Sequence, residues 1–138
     1  MPQPLAPLPT EIVYLGASVL LLLVYVGVQA SLMTRELGRD FNVSARDERK
    51  MLSGVVARRA DRALRNFLET YAAFVGLALA LAVTERAGGA GAVGAGIWFW
   101  ARVVYLPLYL LGIPYVRTAV WSVSAFGLGA MLYRLFFI

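Results

Sequence analysis

Neither cysteine nor histidine occurs anywhere in the 138 residues. Their absence removes disulfides, thiol nucleophiles, imidazole general bases and a zinc site built from the usual ligands. Sulfur chemistry, if there is any, has to arrive with a substrate. Charge is scarce as well: 15% of the residues are Asp, Glu, Lys or Arg, against roughly 25% in an average soluble domain. In their place stand 60% hydrophobic residues and a mean hydropathy of +0.70, which puts the chain in the membrane class before any segment is read. The opening "MPQPLAPLPTEI" carries no basic side chain. It therefore lacks the n-region of a cleaved signal peptide, and the first apolar run is expected to remain as a span.

A membrane-crossing helix needs about 20 consecutive apolar residues. Four stretches qualify, over about 12–33, 62–84, 92–111 and 115–137. The expected fold is a single all-α domain, residues 1–138, made of a four-helix transmembrane bundle. The net charge of +5 is concentrated: nine of the thirteen basic residues lie from Arg35 to Arg65, beside apolar runs. That distribution suits a membrane-facing loop and argues against nucleic acid as a partner. Residues 34–61 hold seven basic side chains, whereas the "TERAGGAGAVGAG" connection holds only Arg86. By the positive-inside rule the loop 34–61 is cytoplasmic, and the 112–117 connection then falls on the same side. Within the loop, Ser44–Asp47 ("SARD") has the form of a capping box, so a helix is expected to begin there and run into the second span. The glycine-rich connection is expected to be a turn leading into a closely packed helix.

The stretch "RALRNFLE", Arg62–Glu69, sets polar groups at the edge of that second span. Turning about 100° per residue, Arg62, Arg65, Asn66 and Glu69 fall on one face. Ala73 and Gly76 continue it, and Tyr71 points away. Polar groups at membrane depth normally face protein, and small residues let another helix come close, so this face is expected to be an inter-helix or inter-subunit surface. The plainer alternative is that Arg62 and Arg65 snorkel to the headgroups while Glu69 pairs with Arg65. In the third span Arg102, Tyr105 and Tyr109 share a face, although tyrosines near an interface also serve as belt residues. Pro107 is expected to kink that helix. In the fourth span Arg117, Trp121 and Ser124 share a face. Gln29, Trp100 and Trp121 are candidates for a lipid-facing cleft, or equally, for the tryptophans, an aromatic belt.

These motifs resemble the family of membrane-associated proteins in eicosanoid and glutathione metabolism. Its second-helix signature, Arg-Ala-x-x-Asn-x-x-Glu, is matched by Arg62–Glu69, its third-helix Ala-Arg pair with spaced aromatics by Ala101–Tyr109, and its fourth-helix arginine by Arg117. The loop "ARDE", Ala45–Glu48, is similar to that of bacterial members resembling microsomal glutathione transferases, which implies a bacterial inner membrane. The resemblance further implies a homotrimer with glutathione as cosubstrate at subunit interfaces. Arg62, Arg65, Asn66 and Glu69 would bind the tripeptide from one subunit, Tyr105, Tyr109 and Arg117 would complete the pocket from a neighbouring subunit, and Arg117 would stabilise the thiolate. The implied activity is transfer or peroxide reduction on lipophilic small molecules within the lipid bilayer. Thr70 departs from members with tyrosine after the motif glutamate. Ala30 and Ser31 stand where the lipid-mediator synthases carry arginine. Asp47 is expected to be a cap rather than a catalytic acid. Two other functions compete: a catalytically silent protein of the same fold that binds another ligand, and a small proton-coupled transporter using Glu69.

Overall fold

The computed structural model describes residues 1–38 and 54–137. Four helices make up the described chain: α1 Thr10–Leu37, α2 Val55–Val83, α3 Ala90–Leu110 and α4 Val116–Phe136. Each is long and apolar enough to cross a membrane. The "SARD" capping box and Asp47 lie outside the described residues. The helix of the second span begins at Val55, with Gly54 as its N-cap.

α3 and α4 pack most extensively, followed by α1 and α2; α2 also touches α3 and α4, and α1 touches α3. The described residues of α1 and α4 do not meet, so α2 and α3 form the bundle's central diagonal. The core between them is aromatic. Phe74 and Trp98 stack with ring centroids 4.0 Å apart, and Phe67 lies edge-on to Trp98 at 5.4 Å. Tyr25 of α1 closes on Phe67 at 4.7 Å. Ala63, Ala78 and Ala95 are fully buried around this stack, where small side chains let the backbones approach. As its phase requires, Tyr71 turns inward, and its hydroxyl shares a 2.9 Å hydrogen bond with Ser18.

Two helices extend beyond the hydrophobic runs. α1 continues to Leu37 and α2 starts seven residues before the expected 62. The added residues are polar but strong helix formers, above all Arg58, Arg59 and Glu36, and apolar length alone does not register them. The two extensions are joined where the Gly54 N–H donates to Glu36 Oε1 at 2.8 Å. Helical pairing resumes beyond Pro107, where the Leu111 N–H donates to its carbonyl at 3.1 Å. α3 therefore runs on to Leu110 and is not broken at the proline.

At the far end of the bundle the glycine-rich connection is a turn, with Gly88 and Gly89 at φ of 102° and 54°. Glu11, fully buried, accepts the Gly88 N–H at 2.6 Å, and Arg134 Nε donates to the Arg86 carbonyl at 2.9 Å. Glu11 falls just outside the apolar run of the first span, so hydropathy alone does not single it out.

Candidate functional site

At the opposite end from Glu11, three helices enclose a cleft of about 120 Å³ lined by Arg62, Arg65, Asn66, Glu69, Tyr109 and Arg117. It opens into a second chamber of about 270 Å³, which shares Asn66, Glu69 and Arg117 and adds Thr118 and Trp121. Local backbone geometry sets the walls. Arg59 Nη1 donates to the Leu110 carbonyl at 3.2 Å, tying the start of α2 to the end of α3. Gly112, at φ 75°, turns the chain beside it, and a Cβ there would lie 2.6 Å from the Arg59 guanidinium. Tyr115, at φ 65°, then opens α4 and places Arg117 in its first turn. The positive end of the α4 dipole is thereby directed at the same space as three guanidinium groups.

Arg65 pairs with Asp61 at 3.1 Å rather than with Glu69. No ion pair holds Arg62, Glu69 or Arg117 among the described residues. Asn66 is buried at the floor of the cleft, whereas Arg62, Arg65, Glu69 and Arg117 are exposed on its rim. Tyr105 does not reach the cleft. It is fully buried behind Tyr109, with the two rings stacked at 5.2 Å. Six of the seven candidate residues thus meet in one space, with the seventh as backing. Tyr109 and Arg117 of the same chain line the cleft beside Arg62–Glu69. The reason is the direct packing of α2 on both α3 and α4.

Beneath the cleft lies Arg102, fully buried. Its Nη1 donates to Asn66 Oδ1 at 2.5 Å, and its Nη2 donates to Thr70 Oγ1 at 3.2 Å and to Ser124 Oγ at 3.1 Å. The guanidinium carbon sits 5.9 Å from the Trp98 ring centroid and 5.6 Å from that of Tyr105. Trp98 Nε1 also donates to Thr70, at 3.4 Å. Sequence spacing put Arg102 on the Tyr105–Tyr109 face without assigning it a partner. Asn66 and Thr70 are four residues apart on α2, and Arg117 and Ser124 seven apart on α4. These spacings put Thr70 on the Asn66 face of α2 and Ser124 on the Arg117 face of α4, and both hydroxyls meet Arg102.

Ala73 and Gly76, which continue the stripe above the cleft, are exposed on this protomer, and a Cβ added at Gly76 would meet nothing within 4 Å. None of the described helices of the same chain covers Ala73 or Gly76.

The family model for the MAPEG family matches residues 14–137. The chain belongs to the MAPEG family. The match takes in α1 from Tyr14 onward, the other three helices whole, and every residue of the cleft. No curated protein and no solved structure matches the chain. With four apolar helices, this MAPEG chain is an integral membrane protein.

Proposed function

We propose that the protein is a membrane-embedded glutathione-dependent transferase or peroxidase that binds glutathione in the Arg62–Arg117 cleft and activates its thiolate for attack on lipophilic electrophiles or hydroperoxides. The observation that carries this reading is the convergence of three arginines, an amide, one carboxylate and a phenol from three helices on one cleft. Glutathione offers the complementary set: two carboxylates for Arg62 and Arg65, an ammonium for Glu69 and a sulfur for Arg117. The sequence has no histidine or cysteine to offer the cleft as an imidazole or thiol base, so acid–base hydrolysis is the less suitable chemistry.

The chemical step needs only charge. A free thiol has a pKa of about 8.5, so a few per cent is ionised at neutrality. A guanidinium beside the sulfur in a partly dry site favours the thiolate, and the proton leaves to water. In transfer, the sulfur lone pair forms a bond to the electrophilic carbon, and the leaving group departs with its bonding electrons. In peroxide reduction, the thiolate attacks the terminal oxygen and releases the alcohol. A second glutathione then displaces water from the sulfenic intermediate, giving the disulfide.

Neither chamber alone reaches the roughly 300 Å³ at which small-molecule sites ordinarily begin. Much of the cleft's rim, Glu69 and Trp121 included, is open in the single chain. The exposed Ala73–Gly76 face beside that rim supports closure by a second copy, and hence the homotrimer and a site at the subunit interface. The seven basic residues of 34–61 support a cytoplasmic site in a bacterial inner membrane. Glu69 stands on an open rim rather than inside a conduit, which favours ligand docking over proton-coupled transport.

The test is calorimetric titration of glutathione into detergent-solubilised protein, followed by turnover with hydrophobic electrophiles and hydroperoxides. Saturable binding and turnover support the reading, and absence of binding removes it. Arg62→Ala is expected to weaken glutathione binding about tenfold while leaving kcat at saturation nearly unchanged. Arg65→Ala is expected to have the smaller effect, because Arg65 must first give up Asp61, and an exposed pair of that kind is worth about 0–1 kcal/mol.

A further inference from the structure

Arg102 is a buried cation whose polar side-chain contacts are all neutral. The Asn66 amide, the Thr70 and Ser124 hydroxyls, and the faces of Trp98 and Tyr105 surround it, and its Nε has no partner. No carboxylate pairs with it among the described residues. With no exposed surface at all, it cannot snorkel to the headgroups. A charge kept in such a place needs an account other than stability.

The account lies in Asn66, which touches Arg102 on one side and both chambers of the cleft on the other. An asparagine amide can ordinarily present either its oxygen or its nitrogen in a given direction. A guanidinium has donors only, so here the oxygen alone can face it and the amide cannot turn over. The NH2 group is therefore left for the cleft. Hydrogen bonding to a cation also polarises the amide and makes that NH2 a stronger donor. Thr70 and Ser124 grip the other arm of the guanidinium, at 3.2 and 3.1 Å, and stop it from swinging off Asn66.

We infer that Arg102, Thr70 and Ser124 act together as a positioning clamp that locks the Asn66 amide with its NH2 toward the ligand, so that the cleft's floor accepts only a hydrogen-bond acceptor such as a carboxylate or carbonyl oxygen. The inference rests on the reading of the cleft as a site for a peptide anion. It assigns Thr70 a task as an acceptor for Arg102, which a phenol in its place would meet with different reach and bulk. The anion bound across Asn66 also adds to the negative charge that Glu69 already places near Arg102.

The experiment uses the full chain in detergent, with glutathione and, separately, sulfate as a peptide-free anion. Binding is followed by calorimetry and thermal shift. Asn66→Asp gives Arg102 a full ion-pair partner but removes both donors from the cleft. Its melting temperature is expected to stay level or rise, while glutathione affinity falls about tenfold or more and protection by sulfate disappears. Thr70→Val, of matching shape, is expected to raise KM about three- to tenfold with kcat unchanged, and Thr70→Ser to restore it. Wild-type affinity in Asn66→Asp overturns the clamp, and so does a Thr70→Val chain whose only change is lower stability. Wild-type protein protected by sulfate but not by glutathione would retire the glutathione reading and leave the clamp to be decided on the sulfate arm. Protection by neither would end both.

Discussion

Replacing Arg117 by alanine is expected to lower conjugating turnover about 25-fold at pH 7, approaching a hundredfold well below pH 6.5, while glutathione affinity at pH 7 falls less than fivefold. The magnitude follows from the thiol. Bringing its pKa down by about two units takes roughly 2.7 kcal/mol of preferential stabilisation of the anion, and that preference is what the substitution removes. The effect falls on turnover more than on binding because the contact strengthens as the sulfur ionises. Arg117 is placed for the role by the first turn of α4, at the junction of both chambers, with the helix N-terminus behind it. The pH–rate profile checks the assignment independently. In the wild type the rate should rise through an inflection near pH 6.5, and in Arg117→Ala near the free-thiol value of about 8.5. Arg117→Lys should fall between them, since an ammonium keeps the charge but not the planar fork. Equal small losses of affinity and turnover, with an unmoved profile, would make Arg117 a docking residue.

The parts of this molecule that are legible in the sequence are those governed by short-range regularities. The number of helices follows from apolar run length, and the placing of Arg62, Asn66 and Glu69 on one face follows from helix geometry. The inward turn of Tyr71 follows from the same geometry. Three features depend on what lies across the bundle and so escape a reading along the chain. The start of α2 at Val55 is carried by arginines, whose helix propensity is high while their hydropathy is low. The burial of Glu11 under Gly88 joins residues 77 positions apart. The role of Thr70 is visible only once Arg102 is known to reach it from α3. On the sequence alone Thr70 is a departure from a family tyrosine; in the bundle it is one of three acceptors for a buried guanidinium. The same long-range packing explains why Tyr109 and Arg117 join Arg62–Glu69 within one protomer.

The second large effect is expected at the crossing of α3 and α4. Gly127→Ala should lower the stability of the bundle by about 3 kcal/mol or prevent its assembly. A Cβ at Gly127 would stand 2.6 Å from the Gly94 carbonyl oxygen and 2.9 Å from the Trp98 nitrogen. Both obstacles are backbone, so no rotamer change relieves the overlap and the helices must move apart. Gly94→Ala meets the reciprocal obstacle at the Gly127 carbonyl, with Ala130 Cβ and Met131 Cγ at 3.0 Å besides. Separating these helices also pulls Ser124, three residues before Gly127, away from Arg102, which it now meets at 3.1 Å. Loss of stability and loss of ligand affinity should therefore appear together, although Gly127 lies outside the cleft lining. Gly129→Ala is the control, because a Cβ there meets nothing within 4 Å. In mid-helix it should be neutral or stabilising by up to about 1 kcal/mol. Melting temperatures in detergent, with glutathione titrated into each variant, decide the matter. If Gly127→Ala and Gly129→Ala melt alike, the close approach of α3 and α4 is not what holds the site's floor in register.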